Sequence, residues 1–424
     1  MPNAAGESET APPVRWQVPF FFIWTSQAFS LLGSWLVQFA LIWWLTERTG
    51  SATVLAMATL VGLLPQILVL PLAGALVDRW DRRRLMILAD SLTALISLWL
   101  AYLFVVGAAR PWHVLVAMMT RAVAGAFHWP AMQASTSLMV PKAQLSRVTG
   151  LNQTLNGAMN IVAPSLGALL LSLMSVQGVL LIDVGTAVPA VAALMLIAIP
   201  SPRRTAVEPS GRRDSLWHDL RGGLSYVWHW PGLRAVMLMA AAVNFLANPA
   251  FSMLPILVTK HFGGGVVQLG LLNSVWGVGV VVGGLCLSVW GGFRKRVVTS
   301  LCGLAGMGIG FLVLGVTPAP AFGLALAGLW LAGFMQPMAD GPLFATIQTT
   351  VSPDMQGRVL SLLISVAKIT SPLSLAVAGP LADAFGVRVW YLAAGLLCLL
   401  MAVGAFFVPD VMRIEEQERG HASQ

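Results

Sequence analysis

Residues 74–90 read GALVDRWDRRRLMILAD and place seven charged side chains in one short stretch of a 424-residue chain that is only 10% charged. Apolar runs long enough to cross a membrane flank it on both sides. A bilayer core takes about 20 apolar residues per helical span, and a soluble domain carries about 25% charged residues. With 57% hydrophobic residues and a mean hydropathy of +0.79, the chain belongs in lipid. The runs are continuous, whereas a β-barrel alternates apolar and polar positions. The class is therefore an all-α membrane protein.

Charges, prolines and glycines divide the chain into twelve spans, at about 18–45, 52–77, 85–107, 112–139, 145–173, 177–199, 233–259, 267–291, 296–316, 320–350, 356–382 and 387–409. The expected organisation is a tail (1–17), a six-helix bundle (18–199), a hydrophilic linker (200–232), a second six-helix bundle (233–409) and a closing tail (410–424). The polar, Pro-rich start has no small-residue cleavage site behind a short apolar stretch, so the first span reads as an uncleaved helix. Of the 25 Lys and Arg residues, 19 fall in one set of loops and tails and four in the other. That bias puts both termini and the linker in the cytoplasm, and the expected location is the bacterial cytoplasmic (inner) membrane.

The two halves repeat. Leu45-Thr46 followed by Gly50-Ser51 matches Val258-Thr259 followed by Gly263-Gly264, and Asp78-Arg79-Trp80-Asp81-Arg82-Arg83 aligns with Gly291-Gly292-Phe293-Arg294-Lys295-Arg296 at the same offset. Val140 and Arg147-Val148 match Val351 and Arg358-Val359 at nearly that offset. Two parallel six-helix repeats point to a transporter with its site between the halves.

Gly74, Asp78, Arg79, Arg82 and Arg83, together with the two halves and the basic linker, resemble the major facilitator superfamily and its signature loop between helices two and three. Arg121-Ala-Val-Ala-Gly125 resembles the superfamily's helix-four motif. The helix-five antiporter motif stands as Ala163-Pro164, where Gly-Pro is expected. At finer grain Leu45–Ser51, Val77–Arg83, Ala126-Phe-His-Trp-Pro-Ala131 and Gln356-Gly-Arg-Val359 resemble the macrolide-efflux branch. The resemblance implies twelve helices in two pseudo-symmetric bundles and a cavity lined by helices one, four, seven and ten. It also implies a cytoplasmic gate in which Asp78 meets the start of helix eleven near Arg358.

Physical chemistry narrows the roles. The cytoplasmic end of the second helix is a negative dipole pole, which suits arginines and not Asp78; an acid there needs an arginine or a helix amino end. Gly74, one turn earlier, permits close approach. The gate candidates are Gly74, Asp78, Arg79, Arg82, Arg83, Asp90 and Arg358, and plain positive-inside anchoring is the competing account of the arginines. Asp90 is expected to cap that arginine cluster and Asp183 to be interfacial.

Ionisable groups inside spans default to functional hypotheses. Asp340, Arg121, His128 and Lys368 are the proton-coupling candidates. Asp340 leads, against a static Asp340–Lys368 pair; His128 follows Arg121 by seven on one helical face, against a packing role. The amides Gln27, Gln38, Asn152, Asn156, Asn244 and Asn248 are substrate-cavity candidates or interhelical glue. Gly279-x-x-x-Gly283 and Gly306-x-x-x-Gly310 read as packing seams. The cysteines Cys286, Cys302 and Cys398 lie inside spans with no metal or disulfide pattern.

Nothing resembles a hydrolase, zinc-protease or phosphate-loop motif, so no enzyme activity and no cofactor are expected, and transport would be driven by an ion gradient or by the substrate's own gradient. No basic stripe interleaves with aromatics as nucleic-acid binding requires. The expected partners are a small-molecule substrate and the lipid bilayer, with the protein acting as a monomer. The expected function is proton-coupled export of bulky lipophilic or amphipathic compounds such as macrolides. The alternatives are an exporter of an endogenous siderophore, lipid or metabolite, and a non-transporting receptor or assembly protein.

Overall fold

The computed structural model describes residues 16–77, 80–199, 225–228, 230–351 and 353–414. Among these residues there is no strand, and each expected span falls on one long helix, except that the span expected at 233–259 breaks after Ser252. The first half holds α1 (Gln17–Thr49), α2 (Ala52–Val77), α3 (Arg82–Val105), α4 (Pro111–Met139), α5 (Lys142–Leu173) and α6 (Val176–Leu196). The second holds α7 (Pro231–Ser252), α8 (Val266–Trp290), α9 (Arg296–Val316), α10 (Phe322–Thr350), α11 (Pro353–Phe385) and α12 (Val387–Phe406). Ten of these are long and apolar enough to cross a membrane over their described residues. The other two are α4, which carries Arg121 at mid-length, and α11, which carries Lys368.

Local chemistry sets the helix ends. Asp81 is the N-cap of α3, and its Oδ1 accepts from the Arg84 amide at 3.1 Å, which occupies one of the helix's unpaired amides. Gly50, with φ of 57°, makes the tight corner between α1 and α2, a left-handed conformation that favours glycine. Prolines 249 and 255 bracket a break after Ser252, from which the chain continues as a short turn (Leu254–Ile256) and a π-helical segment (Leu257–His261). Proline removes an intrahelical hydrogen bond, and broken helices recur at transporter sites.

The chain forms two compact units, residues 1–41 with 61–206 and residues 42–60 with 207–424. The corner between α1 and α2 thus packs with the second unit, although the sequence divides the halves at the linker. In the first unit α3 packs against α4 and α6, around a core that includes Phe20, Met86, Ala131 and Leu194. In the second unit the corresponding helix, α9, packs against α10 and α12. The shared pattern agrees with the internal repeat. The two glycine seams are contacts: a methyl on Gly283 would drive into the Phe334 carbonyl, and one on Gly310 would lie 2.5 Å from the Gly328 carbonyl oxygen. Small residues at such crossings let helix backbones approach closely.

Candidate functional site

The first unit contains two polar tiers, built from residues spaced by seven on three helices. One tier joins Gln27 of α1, Asp90 of α3 and His128 of α4. The other joins Ser34 of α1, Ser97 of α3 and Arg121 of α4, and adds Asp183 of α6. Seven residues are close to two helical turns, so each pair shares a face with its members about 10 Å apart. Because α1 and α3 run one way and α4 the other, 27, 90 and 128 fall at one level and 34, 97 and 121 at the next.

The Asp183 tier is a closed ion pair. Arg121 Nη1 lies 2.6 Å from Asp183 Oδ2. Ser97 donates to Asp183 Oδ2 at 2.8 Å and Ser34 to Oδ1 at 3.2 Å. Arg121 also donates to the Ser97 hydroxyl and, at 3.4 Å, to the Ser34 carbonyl. The two charged side chains are 9% and 1% exposed. A charge taken out of water this fully persists only when paired and hydrogen-bonded, and every described oxygen of Asp183 is occupied. Asp183 was expected at the interface and is instead the buried partner of Arg121. Its distance of 62 residues from Arg121 hides that pairing from any local reading.

The Asp90 tier is more open. Gln27 Nε2 donates to Asp90 Oδ2 at 2.9 Å. His128 Nε2 lies 3.3 Å from Asp90 Oδ1, within ion-pair range, but forms no well-aligned hydrogen bond. The imidazole is 21% exposed and the carboxylate 11%. Asp90 therefore does not cap the arginines: it lies eight residues into α3, about 12 Å from its start, and faces His128. The arginines satisfy themselves elsewhere, Arg82 on the Ala134 carbonyl at 2.9 Å and Arg83 on the carbonyls of Leu194 and Met195. Of the other gate candidates, Asp78 and Arg79 lie outside the described residues, as do the side-chain surroundings of Gly74 and Arg358.

The amides divide between glue and surface. Trp24 Nε1 donates to Asn152 Oδ1 at 2.7 Å, joining α1 to α5. Asn248 donates to Ser371 at 2.7 Å, joining α7 to α11. Asn156 and Asn244 turn back onto the carbonyls of Asn152 and Ala240 in their own helices. Gln38 is half-buried. Asp340 is exposed on α10, one turn after Gln336, and Arg121 pairs with Asp183 rather than with it. The side chain of Lys368 lies outside the described residues.

One site was missed by sequence reading altogether. In the second unit, Asp383 near the end of α11 accepts from the amides of Ala52 and Thr53 at 2.7 and 3.0 Å, and from the hydroxyls of Ser51 and Thr53 at 2.8 and 2.7 Å. A carboxylate at a helix amino end meets unpaired amides and the positive dipole pole. Gly379, one turn earlier, makes room, since a Cβ there would lie 2.8 Å from Thr53 Cα. At 33 residues, α11 is about 50 Å long and exceeds a bilayer core of about 30 Å, so Asp383 lies beyond the expected span. Partial burial works to raise its pKa, but the hydrogen bonds from Thr53, Ala52 and Ser51 outweigh it and hold the carboxyl below its ordinary value.

Residues 8–423 match the model of a family described as transmembrane secretion effectors. The chain belongs to this family, within the major facilitator superfamily. It is 31% identical over 403 residues to macrolide efflux protein A of Streptococcus pyogenes, covering 95% of this chain and 98% of that one. It is 26% identical over 396 residues to the multidrug efflux pump Tap of Mycolicibacterium fortuitum, covering 90% and 94%. A crystal structure of a bacterial homologue of the human lysosomal transporter Spinster superposes with a TM-score of 0.66 at 14% identity, covering 95% of this chain and 98% of that one. The chain is thus a multi-pass membrane protein of major facilitator type, with the macrolide-efflux resemblance that its sequence motifs show.

Proposed function

We propose that the protein exports bulky lipophilic or amphipathic drugs of the macrolide kind from the bacterial cytoplasm, in exchange for protons and by alternating access. The observation that carries this reading is the end-to-end match to macrolide efflux protein A, which leaves no large segment of either chain unaccounted for. Titratable side chains within the spans support a proton-driven cycle, since such groups are expensive in lipid and mark ion pathways in transporters. The basic-residue bias supports a cytoplasmic linker and cytoplasmic termini. No cofactor enters this scheme; the proton gradient supplies the energy.

A drug-susceptibility panel in an efflux-deficient bacterial host tests it. Expression is expected to raise the inhibitory concentration of erythromycin and of related macrolides. Unchanged susceptibility to every compound in the panel would favour an endogenous cargo instead.

A further inference from the structure

The two tiers of the first unit have the same architecture and opposite character. In the Asp183 tier a cation and an anion cancel, three donors surround the carboxylate, and both charged groups are sealed. Nothing there can change protonation without stranding a buried charge. In the Asp90 tier the second charge is conditional, because imidazole is charged only when protonated. Gln27 occupies one carboxylate oxygen and leaves the other to His128. The imidazole ring is partly exposed, while its Nε2 and Asp90 are buried against each other.

We propose that Asp90 and His128, held by Gln27, form the proton-binding site that is loaded and emptied during transport. This rests on the reading of the protein as a proton-driven exporter. The balance is one proton. Neutral imidazole beside a carboxylate carries a net charge of minus one. A proton taken up by the imidazole gives an imidazolium–carboxylate pair of net charge zero, and the same proton returns to water on release. Emptying the site leaves one uncompensated negative charge within the span.

The surrounding charges permit this switch. Between Gln17 and Thr46, α1 contributes no charged residue. From α3, Arg82 and Arg83 lie eight and seven residues away and are bonded to backbone carbonyls, and the exposed Arg84, six residues away, pairs with Asp81. On α4, Arg121 is seven residues away and is neutralised by Asp183 of α6. On α5, the neighbouring polar group is the neutral Asn152, bonded to Trp24. Among the described residues Asp90 is the carboxylate that faces His128.

The test uses the purified full-length protein in liposomes with radiolabelled erythromycin, comparing wild type, Asp90→Asn, His128→Gln and Asp340→Asn. Two rates are read: exchange of labelled against unlabelled drug without a pH gradient, and accumulation driven by an acidic interior. We expect Asp90→Asn and His128→Gln to keep exchange and lose gradient-driven accumulation. Accumulation by Asp90→Asn at the wild-type rate overturns the site, and more so if Asp340→Asn abolishes it. Loss of both rates in a variant that elutes as a single species also overturns it, because the pair is then structural. If Asp90→Asn aggregates, His128→Gln carries the same decision; aggregation of both counts against the proposal. Absence of exchange by the wild type is a different failure, which removes the exporter reading itself.

Discussion

Asp383 and Ala52 are 331 positions apart in the chain, and the carboxylate of one accepts a 2.7 Å hydrogen bond from the backbone amide of the other. With the three further donors from Ser51 and Thr53, this contact makes a distant side chain the cap of α2. It also holds the corner between α1 and α2 within the second unit, where residues 42–60 pack.

Replacing Asp383 with Ala should destabilise the protein by about 1 kcal/mol, the usual cost of losing a helix cap. The effect should depend on pH with a fixed sign. The folded-state pKa lies below its ordinary value, so the stabilisation is complete above the ordinary carboxylate range and is lost as the pH falls through the depressed value. Thermal unfolding of wild type and variant in detergent at neutral and acidic pH checks this. The two curves should converge in acid; a constant gap would show that the carboxylate charge is not involved.

The Arg121–Asp183 pair should respond differently to single and double substitution. Removing one partner strands a buried charge and should cost about 3–5 kcal/mol. Replacing both at once, as Arg121→Met with Asp183→Leu, should cost less than either Arg121→Met or Asp183→Leu alone. A double-mutant cycle on thermal stability measures the coupling. Additive costs would contradict the sealed-pair account.

Adjacent glycines on α8 provide a test of packing. A methyl on Gly283 meets the Phe334 backbone, whereas one on Gly284 meets nothing within 4 Å. Gly283→Ala should therefore destabilise by about 1–3 kcal/mol, as overpacking does. Gly284→Ala should be neutral or slightly stabilising, since alanine is the better helix former. Equal melting temperatures for the two variants would mean that the α8–α10 crossing is looser than described.

The helices were legible because continuous apolar runs broken by charge leave few alternatives in lipid, and the shared face of Arg121 and His128 follows from a spacing of seven. Their partners were not. Asp183 lies 62 residues from Arg121, and only tertiary packing brings α6 to α4. Asp90 follows four arginines so closely in sequence that capping them is the natural reading, yet the rise of α3 carries it out of their reach. Asp383 was invisible for the same reason, with its donors more than 300 positions earlier. The sequence suggested that an acid of α2 meets the start of α11; the described contact has an acid of α11 meeting the start of α2. In each case helical periodicity revealed the face of a residue but not its neighbour across the bundle.

The most direct test of the account as a whole is the uptake of radiolabelled erythromycin by everted membrane vesicles that contain the wild-type protein, energised so that the interior is acidic. The account predicts accumulation that collapses when an ionophore dissipates the pH gradient and that is absent from vesicles lacking the protein. Equal uptake with and without the protein, or accumulation indifferent to the ionophore, would contradict proton-driven export.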